Sequence, residues 1–97
     1  MHNMEAEIMI MTKAEADAKA DLINYFSRNS ALQSKYANAD DYAEQIMKKA
    51  WEETVREIDT EAKQGKKHDA KDVEAKFRQK AEEQKVLFDP ANFHSAN

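Results

Sequence analysis

Chemistry in a chain this short would have to come from its three histidines, its four serines or its carboxylates. A metal site on helices needs His or carboxylate donors at i and i+3 or i+4, so that two ligands share a face. His2, His68 and His94 lie near the two ends and in one turn, and no two of them pair in this way. Nucleophilic catalysis from Ser27, Ser30, Ser34 or Ser95 would want a Gly-x-Ser-x-Gly elbow, which is absent. One Gly in the whole chain leaves no loop of the kind that cradles phosphates. The thioethers of Met4, Met9 and Met11 could hold copper(I), but packing of a pliable apolar segment is the simpler expectation. With no Cys, thiol chemistry, disulfides and Cys-based zinc sites are excluded. Carboxylates recur all over the helix surfaces, so none stands out as an acid–base couple. No catalytic residue, metal or cofactor is expected, and the chain reads as a non-enzyme.

The elements that would position any site are helices. Leu, Ile, Val and Phe together number 15 of 97 residues, while Ala alone supplies 16. That is a thin core for one small domain, and thin cores are often completed by a second copy or a partner. The low Gly and Pro counts and the modest net charge of −4 argue for helices rather than disorder. The stretch from Asp41 to Lys63 shows the clearest period. Tyr42, Ala43, Ile46, Met47, Ala50, Trp51, Thr54, Val55, Ile58 and Ala62 recur at steps of three and four, which gathers them on one helical face.

The spacing predicts an all-α bundle of three main helices, about 13–28, 41–63 and 70–88, with a short helical turn near 31–36. Thr12 and Glu15 have the spacing of a capping box for the first helix, and Asp41 and Glu44 repeat it for the second. Gly65 is placed to end the long helix, Asp69 to cap the last one, and Asp89-Pro90 to stop it. A turn this short makes the last two helices an antiparallel hairpin. Val73, Phe77, Ala81, Gln84 and Phe88 form the stripe of the last helix, with Leu87 at its edge. Residues 1–11 read as a flexible N-terminal segment, 12–89 as the helical domain and 90–97 as a C-terminal tail.

Function follows less directly. Residues 1–62 carry 7 basic and 13 acidic side chains, and residues 63–97 carry 8 and 6. Pairs such as Glu44–Lys48, Glu52–Arg56 and Asp72–Lys76 would absorb many of these charges along single helices. The leading expectation is a small non-catalytic protein–protein interaction module (an adaptor, inhibitor or assembly factor), working as a homodimer or on another protein. Met47, Trp51, Val55 and Ile58 are its expected partner-binding residues. One alternative is nucleic-acid binding by the basic 63–85 surface, through Lys63, Lys66, Lys67, Lys71, Lys76, Arg78, Lys80 and Lys85. Another is a phosphate-mimicking inhibitor of a nucleic-acid enzyme, using acids such as Glu52, Glu53 and Glu57. Tyr36-Ala37-Asn38-Ala39-Asp40 fits the Tyr-x-x-x-Asp/Glu signal of small type VII secretion substrates. Those chains also carry a Trp-x-Gly turn between helices, whereas Trp51 here precedes Glu52-Glu53 in mid-helix, so that resemblance is rejected. No run reaches the roughly 18 apolar residues of a membrane span. Ile8 to Met11 follow Glu5 and Glu7 and are too few for a signal-peptide core. A cytoplasmic chain is expected.

Overall fold

The computed structural model describes residues 4–90, with side chains from Thr12 onward. The chain forms α1 (Met4–Ser27), α2 (Ser30–Lys35), α3 (Ala39–Lys63) and α4 (Ala70–Leu87). Three long helices and one short turn of helix are what the spacing predicts. Their limits differ in two informative places.

The first is the start of α1, which begins at Met4 rather than near Lys13. Thr12 and Glu15 therefore lie inside the helix, and their capping-box spacing is not used. Met, Glu and Ala are strong helix formers and make up six of the eight residues from Met4 to Met11, and no Gly or Pro separates Met4 from Thr12. A cap signal ends nothing when the residues before it extend the helix. The second is the start of α3. Asn38, not Asp41, is its N-cap, and its side-chain oxygen accepts from the Asp41 N–H at 2.8 Å. Asp40 and Asp41 then occupy the first turn, where carboxylates suit the positive end of the helix dipole.

The other ends follow the sequence closely. Gly65 takes φ +89°, its N–H donates to the Ala62 carbonyl at 3.0 Å, and the Lys66 N–H donates to the Glu61 carbonyl at 3.0 Å. This doubly bonded turn satisfies two orphan carbonyls of α3 and requires the left-handed residue that glycine supplies. Asp69 caps α4, and the Asp72 carboxylate reaches back to the Asp69 N–H, closing a reciprocal box. Asn29 caps α2 through the Leu32 N–H, and Gln33 donates to the Phe26 and Ser27 carbonyls at the end of α1.

Asp17 meets Arg78 and Asp21 meets Lys85, both at 3.0 Å, so α1 and α4 run parallel and in contact, and α3 packs antiparallel against both. The core has two centres. At one end, Leu22 and Phe26 of α1, Leu32 of α2, and Tyr42, Ala43 and Ile46 of α3 pack together, with Phe88 against them. At the other, Ala14, Ala50 and Ala81 bring three helices close, and the fully buried Phe77 fills the space they leave. Met47 touches both centres. Thr54 is also buried, its hydroxyl donating to the Ala50 carbonyl at 2.7 Å. On α4, Val73, Gln84 and Phe88 are half-buried, while Leu87 is exposed.

Tyr42 is wholly buried against Phe26 and Tyr36, yet its hydroxyl finds no hydrogen-bond partner among the described residues. Burial pushes its phenol pKa well up. An unsatisfied buried hydroxyl costs on the order of 1–3 kcal/mol. Tyr42→Phe should therefore stabilise the fold by about 1 kcal/mol, read as a rise of about 4–8 °C in thermal midpoint. A fall in midpoint would mean that the hydroxyl is bonded in solution.

Candidate functional site

Of the expected partner-binding residues, Met47, Trp51, Val55 and Ile58 all lie along one flank of α3, and they divide by depth. Met47, Trp51 and Ile58 are half-buried. Trp51 stacks on Phe77 with ring centroids 4.3 Å apart and planes 22° from parallel. Val55 points outward and is 62% exposed, more than any other large hydrophobic side chain described. The spacing placed Thr54 and Val55 on the same stripe, but the packing separates them. α1 and α4 close over the Thr54 side and leave the Val55 side open.

Trp51 and Val55 form the floor of a shallow depression edged by Lys48, Glu52 and Arg56. Lys48 also edges a groove between α1 and α3 that contains Met47, Ala16 and Lys19. The two depressions thus join into one surface, apolar in the middle and charged at the rim. Glu44, Lys48 and Glu52 make no ion pair with any described residue, whereas Arg56 turns to Glu53 at 3.0 Å and Lys63 to Asp59 at 3.1 Å. The helix-internal pairs Glu44–Lys48, Glu52–Arg56 and Asp72–Lys76 read from the sequence do not close among the described residues.

Lys76 instead crosses to α3. Its ammonium donates to Glu57 at 2.7 Å and to Glu61 at 3.0 Å, and Lys80 reaches Glu57 at 2.6 Å. His68, placed by the sequence in a turn, has a side chain only 5% exposed, with Nε2 2.7 Å from Glu61. The legible sign of this ladder was Glu57 and Glu61 four apart on one side of the Gly65 turn and Lys76 and Lys80 four apart on the other. Six of the eight basic residues from Lys63 to Lys85 lie within ion-pair distance of a carboxylate. Glu53, Glu57, Asp59 and Glu61 are engaged in the same way.

The ladder carries a pH signature. Hydrogen bonds from Lys76 and then His68 hold the Glu61 carboxyl far below its ordinary value of 4.5, at about 2. Glu57 is lowered in the same direction by Lys76 and Lys80. A carboxylate whose pKa falls on folding adds stability above its unfolded pKa and loses it as pH falls toward the folded one. The thermal midpoint should therefore be flat near neutrality and decline from about pH 4.5 toward pH 2. Glu61→Gln should remove much of that slope. An unchanged slope in the variant would place the acid sensitivity elsewhere.

A second polar cluster was not legible in the sequence. Asp89, read there only as a helix stop, is buried and accepts from the Tyr25 hydroxyl and the Asn29 amide. The bond to Asp89 holds the Tyr25 phenol above its usual range. Asn29 also caps α2, so one side chain ties the α1–α2 corner to the end of α4. Its partners are mutually satisfied, and it reads as a clamp.

Among the described residues no group of three His, Cys, Asp or Glu side chains is arranged to hold a metal ion, and no helix is long and apolar enough to cross a membrane. His2, His94 and Ser95 lie outside the described residues, as do the side chains of Met4, Met9 and Met11 and most of the expected tail. Comparison with known proteins gives no match to a family model, to a curated protein or to a solved structure.

Proposed function

We propose that this chain is a small non-catalytic protein–protein interaction module whose docking surface is the outer flank of α3. The observation that carries the reading is Val55, 62% exposed in the middle of a long helix and backed by the half-buried ring of Trp51. Aromatic anchors beside an apolar floor and a polar rim are the usual makings of a binding hot spot. Trp51 is held by Phe77, so little side-chain entropy is lost when a partner covers it. The paired state of Lys76, Arg78, Lys80 and Lys85 gives no comparable support to nucleic-acid binding.

The test uses tagged full-length chain as bait in extract of its native host, with bound protein quantified by mass spectrometry. Val55→Asp puts a charge on the floor of the surface without touching the core, so its helical circular dichroism and thermal midpoint should match the parent. The parent should retain a partner, untagged copies of the chain included, and Val55→Asp should lose it. Equal retention by both baits, or by neither, would refute the reading.

A further inference from the structure

We infer that the occupant of this surface is a second copy of the chain, docked with α3 antiparallel to α3 about a two-fold axis passing between Glu53 and Thr54. The inference rests on the reading of the Trp51–Val55 flank as a protein surface, and it adds partner, direction and register. Along the outer side of α3 the charged residues run Glu44, Lys48, Glu52, Arg56, Asp59, Lys63. Each acid is followed by a base, and such an order becomes its own complement when the helix is reversed.

About the stated axis, Glu44 faces the partner's Lys63, Lys48 faces the partner's Asp59, and Glu52 comes within one residue, about 1.5 Å along the helix, of the partner's Arg56. The same operation brings Trp51 within one residue of the partner's Val55, and Val55 within one residue of the partner's Trp51. Each of these neighbouring pairs is opposite in sign or apolar on both sides. A parallel two-fold pairing would stack Lys48 on Lys48 and Glu52 on Glu52, so charge selects the antiparallel arrangement.

The intrachain pairing leaves these groups available. Glu44, Lys48 and Glu52 make no ion pair with a described residue, and Arg56, Asp59 and Lys63, which pair along their own helix, are all largely exposed. α1 and α4 cover the other sides of α3, whereas this flank is open. At 25 residues α3 is about 37 Å long, enough for several layers of contact, and the adjoining groove with Ala16 and Lys19 widens it. A surface of this kind is at the small end for stable association, so the dimer should be reversible and concentration-dependent.

Sedimentation velocity of the full-length chain over a range of concentrations tests this. The parent should shift from monomer to dimer as concentration rises. Lys48→Glu alone sets Glu against the partner's Asp59, and Asp59→Lys alone sets Lys against the partner's Lys48. Each should weaken the dimer by about tenfold, because symmetry repeats the clash, and salt should blunt the effect. The double variant Lys48→Glu/Asp59→Lys restores opposite charges and should recover dimerisation. A parent that stays monomeric at every concentration overturns the inference, as does a double variant no better than the singles. If Val55→Asp abolishes self-association while the charge variants behave as the parent, this register is wrong and the docking surface stands. If the parent is monomeric yet the bait retains another protein through Val55, the second copy is wrong and the proposed function stands.

Discussion

Phe77→Ala should remove a large share of the molecule's stability. Phe77 is fully buried where Ala14, Ala50 and Ala81 meet, and it supplies the bulk that those three methyl groups lack. Removing a buried Phe costs about 3–5 kcal/mol, and a chain of this size holds only about 5–15 kcal/mol in total. The walls of the cavity are the three alanine methyl groups and the face of the Trp51 ring, which loses its stacking partner. Urea unfolding followed by circular dichroism should show a midpoint for Phe77→Ala well below that of the parent, by the equivalent of about 3–5 kcal/mol. Phe77→Leu, which keeps most of the volume, should cost less than about 1.5 kcal/mol. A cost below about 1 kcal/mol for Phe77→Ala would mean that the alanine-lined level does not hold the bundle together.

Trp51→Ala should come second, at about 2–3 kcal/mol, because the ring is half-buried and loses less than a fully enclosed one would. Part of that cost is the stack on Phe77. A double-mutant cycle between the two should return a coupling of about 0.5–1.5 kcal/mol. Val55→Ala, four residues along the same flank, should change stability by less than about 0.5 kcal/mol. The contrast matters more than either value. It separates the part of the stripe that holds the fold from the part that is open to a partner. If Trp51→Ala cost no more than Val55→Ala, the ring would belong to the surface and not to the core.

The helices and their hairpin were legible because the signals that mark them are local. Gly65, the Asp69 box and the period of three and four from Tyr42 to Ala62 act within a turn or two of helix. The start of α1 was misread because Thr12 carries a cap signal that the helix formers before it override. Asn38 was passed over for Asp41 because three residues in the same turn can cap, and only the backbone path chooses among them. The candidate surface was half legible. Spacing put Met47, Trp51, Val55 and Ile58 on one stripe, but that stripe is wider than the two helices that cover it. Which edge stays open depends on where α1 lies, and no single-helix period contains that. Asp89 with Tyr25, and His68 with Glu61, join residues across the fold or across a turn, so neither contact leaves a trace in local pattern.

The most direct measurement is photocrosslinking in cells of the native host, with a photoreactive phenylalanine derivative placed at position 55. The same derivative at position 71, on the exposed side of α4, serves as the control. Position 55 should give a discrete covalent adduct, at twice the mass of the chain if the partner is a second copy, and position 71 should not. No adduct at position 55 beyond that seen at position 71 would contradict the assignment of the outer flank of α3 as a docking surface.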